Sequence, residues 1–412
     1  MQGNRSSTEL AGDAAVGVAV DRSGRAEQLR WLTETTRGTP MGDLLRRFWQ
    51  PVALSRELAP GKAMPVRILG DTLTLYRGAS GKAYLLAGQC RHRGTVLHTG
   101  WVEGERIRCM YHGWQFDGSG ACTERPAERE SVPPPQAAIA AYPAQEYCGL
   151  IFAWLGEGAA PAFDLPRKAV CESGQPRIVA TREDWDMNWF QQIENSLDPT
   201  HVSFAHRTLR VGAFGAAVTN GIPELSYIET EAGLEQTATR AADNVRKSDW
   251  TFPNNNHVVV PGLRPDDPWI DFIIWMVPQD DIHATRFTLY VMASHDAQAN
   301  QRFDEYFQRY GSYNAAEHRQ ELFLHARGPE EADKLAGLIS AQDYLAQRGQ
   351  GRVANRADEL LGRSDLGVVT LRRLFWRELQ ALREGRPTKD WRRRPDVSAL
   401  PIQPGDQRIA DV

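Results

Sequence analysis

The chain has few cysteines, no long apolar run and no block of one charge. Five cysteines in 412 residues do not make the disulfide framework on which small secreted domains rely. No stretch approaches the ~20 consecutive apolar residues that span a bilayer. The opening MQGNRSSTELAGDAAVGVAVDRSG lacks a basic segment followed by a long apolar one. Its apolar part is preceded by Asp13 and broken by Gly17, so it does not read as a secretion signal. Lys and Arg number 48 against 52 Asp and Glu, a net charge of −4, and there is no large basic block. That argues against nucleic acid or an anionic membrane as the partner. Internal repeats are absent as well. The expectation is a cytoplasmic globular protein with no nucleic-acid or membrane partner.

The bulk composition, 42% hydrophobic and 24% charged, is that of an ordinary globular chain. The length leaves room for two domains. The first two dozen residues are small and polar and are expected to be disordered. A helical pattern then turns Leu29, Trp31 and Leu32 inward, and Thr39 followed by Pro40 marks the start of another helix. MPVRIL, TLTLYR and AYLLAG are strand-like runs separated by Gly or Asp. GLIFAWLG from Gly149 closes this all-β module, and Ala160 to Pro166 makes a linker. Beyond it, Met187 to His206 has a helical pattern. β-type runs begin at His257, Trp269 and Thr285. Long helices are expected over Pro329 to Gln350 and Gly367 to Leu382. In the latter, Val368, Leu371, Phe375 and Leu382 fall near one face, and Gly385 and Pro387 stop it. The expected fold class is α+β. A lead-in segment, 1–37, precedes an N-terminal all-β domain, 38–160, and a larger domain, 161–412, with an antiparallel β-sheet flanked by helices.

One stretch departs from the ordinary: CRHRGTVLHTGWVEGERIRCMYHGW, Cys90 to Trp114. It contains Cys90-x-His92 and Cys109-x2-His112. Thiolates and imidazoles in two close pairs suit zinc or an iron–sulfur cluster. Zinc fingers usually pair Cys with Cys and His with His. Here each pair is mixed, which fits a two-iron cluster with both cysteines on one iron and both histidines on the other. Gly94 and Gly113 let backbone N–H groups approach the cluster sulfurs, with Tyr111 and Trp114 as candidate shields. Cys122, Cys148 and Cys171 lie outside the pattern and are expected to be small buried or half-buried side chains. His98 breaks the ligand spacing and is expected at the surface or in packing.

A second constellation is NWFQQIENSLDPTHVSFAH, Asn188 to His206. His201 and His206 are five residues apart, about 140° on a regular helix of ~3.6 residues per turn. Both reach one ion only if the helix ends, bulges or unwinds between them. Two His this close suggest a second metal, and a carboxylate ligand for it would come from later in the chain. In PEEADKLAGLISAQDYLAQRGQ, Leu335, Ile339 and Asp343 recur at i, i+4 and i+8, which turns Asp343 inward. Glu330, Glu331 and Asp333 complement the helix N-terminus. An inward carboxylate without a basic partner on its own helix needs a metal or a hydrogen-bond network. Asp198 followed by Pro199 makes a good helix cap.

Cys-x-His-Arg-Gly followed by Cys-x-Tyr-His-Gly-Trp-x-Phe resembles the Rieske domain of ring-hydroxylating oxygenases, with Met110 where that family often has Pro. Glu194-Asn195-x2-Asp198-x2-His201-x4-His206 resembles the mononuclear iron motif of the same family, and Ala-Gln-Asp ending at Asp343 resembles its third-ligand segment. The likeness runs from about Gly38 to the C-terminal helix and is closest to the phthalate-dioxygenase-like branch, which includes aromatic O-demethylases. It implies one [2Fe–2S] cluster on Cys90, His92, Cys109 and His112, and one mononuclear Fe(II) on His201, His206 and Asp343. It implies catalytic roles for Asn195 and Asp198, with Asp198 linking His112 of one subunit to His201 of the next. That link needs a head-to-tail ring, a homotrimer or a dimer of trimers. It further implies a separate NAD(P)H reductase carrying flavin and an iron–sulfur centre, and O2 with an aromatic substrate. The oxidation is O-demethylation or hydroxylation, with cis-dihydroxylation as the alternative.

Around this site the sequence leaves several residues open. Trp185, Trp189 and Phe190 line an aromatic pocket or pack the core. Arg207 and Arg210 clamp a carboxylate or face solvent or an interface. Asn254, Asn255 and Asn256 make polar contacts or a turn. His257 faces the pocket or ends a strand. Two rivals stand beside the oxygenase. A non-enzymatic Rieske electron carrier needs only residues 38 to 160, and a zinc-stabilised binding protein needs the mixed pairs to be structural.

Overall fold

The computed structural model describes residues 22–128, 132–163, 168–172, 175–207, 218–264, 266–310 and 338–391. Glu330, Glu331, Asp333, Leu335, Arg210 and the tail before Arg22 lie outside the described residues. The chain enters through α1 (Arg22–Thr33) and α2 (Pro40–Leu45). Thr39 caps α2 as expected, its hydroxyl accepting from Gly42 N, with Pro40 at the first turn where a missing N–H costs nothing. Leu32 is buried, and Trp31 stacks on Trp376 with ring centroids 4.9 Å apart.

The next stretch is all β. Its strands are β1 (Gln50–Leu54), β2 (Ala63–Ile68), β3 (Asp71–Arg77), β4 (Ala83–Ala87), β5 (Trp101–Glu103), β6 (Arg106–Arg108), β7 (Gln115–Phe116), β8 (Cys122–Glu124), β9 (Ala141–Tyr142), β10 (Ala144–Tyr147) and β11 (Leu150–Ala153). They form three antiparallel sheets ordered β2-β3-β4-β9, β5-β6-β7-β8 and β1-β11-β10. The three strand-like runs of the sequence are β2, β3 and β4, and GLIFAWLG supplies β11. A small separate core gathers Tyr76, Leu86, Leu97, Ile107 and Phe116 around Cys90 and Cys109.

The following part consists of α3 (Ala169–Glu172), β12 (Arg177–Trp185), α4 (Trp189–Ser196), α5 (Pro199–Ala205), β13 (Glu224–Glu229), β14 (Gly233–Ala241), β15 (Asn244–Thr251), β16 (Asn255–Val260), β17 (Ile270–Asp280), β18 (His283–Met292), α6 (Ala297–Tyr310), α7 (Leu338–Arg348) and α8 (Leu366–Arg383). One seven-stranded antiparallel sheet, in the order β12-β18-β17-β16-β15-β14-β13, is its backbone. The sequence marks β16, β17 and β18. It does not mark β12 to β15, because RIVATREDW, ELSYIE, GLEQTATRA and NVRKSDWT carry polar residues on both faces and lack a clean apolar period.

α8 buries Val368, Leu371, Phe375 and Leu379 along one face, and full burial of a side chain of that size contributes about 1.5–3 kcal/mol. The chain leaves it at Gly385, whose φ of +66° suits a helix stop. Phe375 meets Trp189, Phe190, Trp250 and Phe252 at centroid distances of 5.1 to 6.0 Å. The largest core cluster continues from these rings through Trp275 to Phe152 and Ala53, so β1-β11-β10 packs on the large sheet. Among the described residues, no helix is long and apolar enough to cross a membrane.

Candidate active site

Two short loops carry the mixed pairs. One follows β4 and holds Cys90 and His92; the other joins β6 to β7 and holds Cys109 and His112. They are built alike. Gly94 N donates to Cys90 O at 2.9 Å, and Gly113 N donates to Cys109 O at 3.0 Å. Both glycines sit in the left-handed region, at φ +76° and +73°, which a side chain strains. The two cysteines are buried, His112 is half-buried and His92 is exposed. The imidazole centroids are 4.6 Å apart. Trp114 lies parallel over His92 at 4.8 Å, and Tyr111 stands 3.8 Å from His112. Burial pushes the Cys90 thiol up to about 11, so a thiolate there calls for a cation to hold it. Sulfur inward and imidazole outward is the donor set that a Rieske cluster takes. His98 sits apart, half-buried on the turn Leu97–Thr99.

The second constellation is two helices, not one. Pro199 has no N–H and disfavours α geometry in the residue before it. The helix therefore breaks at Leu197–Asp198, and Asp198 restarts it, its side chain accepting from Thr200 N and His201 N. α5 then stops at Ala205 and His206 is its C-cap, at φ −104° and ψ 22°. This helix end brings two histidines five residues apart onto one point, as their spacing requires. His201 Nε2 lies 3.4 Å from Asp343 Oδ1, and His206 Nε2 lies 3.3 Å from the same oxygen. Donors bonded at about 2.1 Å to one ion stand about 3.0–3.4 Å apart. The three residues form the one cluster of possible ligands of this size among the described residues.

The imidazoles are oriented from behind. His206 Nδ1 faces Gln342 Oε1 at 2.8 Å, and His201 Nδ1 bonds the carbonyl of Asp198. A ring nitrogen that donates to an oxygen leaves the other nitrogen's lone pair for a metal. Asn195 Nδ2 reaches Asp343 Oδ1 at 3.3 Å and His201 Nε2 at 3.5 Å. Burial opposes ionisation of Asp343, but His206 and His201 outweigh it and hold the carboxyl well below the usual range. The set fits a divalent iron held by two imidazoles and a carboxylate.

Above the three ligands opens a cleft of about 960 Å³, counted out to its mouth. Its wall is one face of the large sheet, contributed mostly by alternate residues. Ala238, Val258, Val260, Phe272, Ile274 and Met276 make an apolar wall, and Arg240, Arg246 and Asn256 add polar groups. Trp185 lines the cleft, whereas Trp189 and Phe190 are fully buried in the core. His257 belongs to the opposite face, since its neighbours Asn256 and Val258 line the cleft; its Nε2 lies 2.7 Å from Asp271 Oδ1. Asn254 donates to Gln50 Oε1 and Met276 O, and only Asn256 of the three reaches the cleft. Arg207 is exposed.

Glu194 has a structural task. Arg356 Nη2 meets its carboxylate at 2.7 Å and Arg372 Nη2 at 2.6 Å, tying α4 to α8 and to the turn before it. Sequence reasoning missed Gln342, Arg240 and Arg246. Their signal is only spatial, because their partners are distant in the chain or lie on neighbouring strands.

A family model for the Rieske [2Fe-2S] domain matches residues 48–143. The chain is 30% identical over 388 residues to the 5,5'-dehydrodivanillate O-demethylase oxygenase subunit of Sphingobium sp. (strain NBRC 103272 / SYK-6), covering 92% of this chain and 86% of that one. It is 31% identical to the phenoxybenzoate dioxygenase subunit alpha of Ectopseudomonas oleovorans, over 86% and 85% of the two chains. Among solved structures, Pseudomonas putida CBB5 NdmA superposes with a TM-score of 0.64 at 20% identity, over 87% of this chain and 94% of that one.

Proposed function

The chain belongs to the Rieske non-haem iron oxygenases, and we propose that it oxidises an aromatic compound in the cleft above His201, His206 and Asp343. The observation that carries this reading is the convergence of those three side chains on one point at the floor of an apolar cleft. O-demethylation or monohydroxylation of an aromatic acid or ether is favoured over cis-dihydroxylation, in keeping with an O-demethylase among the relatives.

When bound, the cluster supplies single electrons and the iron supplies open coordination positions for O2. Everything else falls to the chain. Cys90, His92, Cys109 and His112 hold the cluster, and Gln342 and the Asp198 carbonyl fix the imidazoles at the iron. Asn195 donates to the Asp343 oxygen that both imidazoles face. The sheet wall excludes water and positions the C–H bond. Residues 38–160 make the Rieske unit and 161–412 the catalytic unit, after a lead-in of 1–37.

A separate NAD(P)H reductase, with flavin and an iron–sulfur centre, completes the system. Asp198 is the bridge to a neighbouring subunit in a trimer or a dimer of trimers. Two features support this. Its Oδ2 stands 4.0 Å from His201 Nδ1 while its side chain stays partly open. It also borders both the inner cleft and an outer one flanked by the exposed Leu360. His112, the cluster ligand that Asp198 would meet on the neighbour, is half-buried with Met110 and Tyr111 exposed beside it.

The test is metal and sulfide analysis with EPR of the reduced, anaerobically purified protein. About three irons and two sulfides per chain, followed by O2 uptake coupled to an aromatic substrate, are expected. Two irons per chain even after Fe(II) is added would leave an electron carrier, and zinc without colour would remove the oxygenase altogether.

A further inference from the structure

We propose that Glu183 is a positioning residue for the iron site: through the Ser340 hydroxyl it fixes α7 against the sheet, and with α7 the reach of Asp343. This rests on the reading of Asp343 as an iron ligand and names what holds that ligand from the sheet side.

β12 and β18 pair Glu183 with Arg286 and Trp185 with Ala284. Side chains alternate between the faces of a strand, and directly paired residues share a face. Glu183, Trp185 and Arg286 therefore stand together, on the face that Trp185 and Arg286 present to the cleft. Glu183 itself lies behind the cleft lining. α7 rests against this group. Ser340, three residues before Asp343, places its hydroxyl between the two charged side chains. It donates to Glu183 Oε2 at 2.6 Å and accepts from Arg286 Nη1 at 3.3 Å. Trp185 Nε1 donates to the same Glu183 oxygen at 3.4 Å.

Burial gives these contacts their weight. Glu183, Arg286, Ser340 and Trp185 are all buried. Polar groups out of water need hydrogen bonds, and a satisfied network selects one arrangement of its members. An apolar contact in the same place would leave the helix freer to slide, since apolar side chains of similar volume repack. A metal site tolerates little sliding, because its ligands must stay within about 0.5 Å of the productive geometry. On a helix that rises ~1.5 Å per residue, Ser340 is about 4.5 Å along the axis from Asp343.

Ser340, Asp343, Tyr344 and Gln347 fall at i, i+3, i+4 and i+7, one face of α7, and all four are buried. The rest of that face is held as well. Tyr344 stands edge-on to Trp185 with centroids 5.6 Å apart, and the Arg286 guanidinium lies 5.7 Å from the centroid of the same indole. Further along, the Gln347 carbonyl accepts from Gln191 Nε2 of α4 at 2.8 Å, and Arg348 pairs with Asp186 at 3.4 Å. α7 is thus anchored on both sides of Asp343. Glu183 supplies the acceptor of the anchor on the N-terminal side, and it acts on the iron site through the helix.

The experiment is a chelator competition for Fe(II) on the anaerobic, full-length, cluster-containing protein, with melting temperature and Rieske absorption read beside it. Glu183→Met and Ser340→Ala are each expected to weaken Fe(II) binding about three- to tenfold, less than the 10- to 100-fold typical of a residue that touches a ligand. Glu183→Gln keeps an oxygen that accepts, so it should fall between Glu183→Met and wild type. Both disruptive changes cut one route, so the double variant should be within about twofold of the weaker single one. The Rieske absorption should not change. A lower melting temperature with Fe(II) affinity unaltered, a Glu183→Gln no better than Glu183→Met, or a double variant in which the two losses multiply would each overturn the proposal. Should Glu183→Met fail to fold, Ser340→Ala, which removes one oxygen, decides. Asp343→Ala separates this proposal from the reading beneath it. Iron retained by Asp343→Ala would remove the ligand and the positioning role together, whereas iron lost there and unaltered affinity in Ser340→Ala would remove the positioning role alone.

Discussion

Gln342 Oε1 accepts from His206 Nδ1 at 2.8 Å, so the residue next to one proposed iron ligand fixes the ring of another. α7 thus serves the site twice from consecutive positions. Asp343 reaches it directly, and Gln342 grips the imidazole that arrives from the end of α5. Removal of such an outer partner typically costs 10- to 100-fold in metal affinity. Gln342→Ala is expected to bind Fe(II) about 10- to 100-fold more weakly, with the Rieske absorption unchanged. A chelator competition measures it, and unaltered iron retention would show that the contact does not orient the ligand.

Asp343→Ala removes the oxygen that both imidazoles face. Iron should fall from about three to about two per chain, with the cluster spectrum kept and turnover abolished. Retained turnover would sink the assignment of Asp343.

Glu194 gives a prediction in pH. Burial raises its pKa, but Arg356 and Arg372 outweigh that and hold it below the ordinary value. A carboxylate with a lowered folded-state pKa contributes its full stability above its unfolded value of about 4.3. That contribution fades as pH falls through the lower folded value. Glu194→Gln leaves Arg356 buried without its counter-ion, so a loss of about 3–5 kcal/mol is expected at pH 7. The gap between wild type and variant should narrow below pH ~4.3. Denaturant unfolding at pH 7, 5 and 4 reads both, and a gap independent of pH would contradict the ion pair.

Gly367 sits where α8 crosses the break between α4 and α5. A Cβ there would lie 2.0 Å from Leu197 O and 2.4 Å from Tyr227 Oη, and Tyr227 Oη itself bonds Leu197 O at 2.8 Å. Gly367→Ala must push α8 off that junction, at a cost of about 1–3 kcal/mol. Because Asp198 and His201 follow at once, iron occupancy should fall together with the melting temperature. A variant with normal iron and normal melting would mean that the junction yields elsewhere.

The two metal motifs were legible because few side chains bind iron and their spacing is constrained. The i, i+5 separation of His201 and His206 called for a helix that ends, bulges or unwinds, and α5 takes the first course, ending at Ala205. Asp343 was legible from helical periodicity, since its inward face shows in the residues before it. Gln342 was not, because its hydrogen bond spans 136 positions and nothing local marks it. Arg240 was hidden for a different reason. It lies in a bulge between strands whose residues are polar on both faces, so neither period nor register could be read there. The core ran further than composition suggested. Trp275 and Phe152 touch at a centroid distance of 5.5 Å, across the segment that reads as a linker.

The proposed metal ligands come from α5 and α7, while the cleft wall comes from every second residue of the facing sheet. Chemistry and choice of molecule are therefore written in separate places in the gene. Changes at Ala238, Val258, Phe272 or Ile274 can reshape what fits without disturbing an iron ligand, whereas their odd-numbered neighbours answer to the other face of the sheet. A lineage of such enzymes can drift from one ring to another by small steps at scattered codons, with the oxidising machinery held constant throughout.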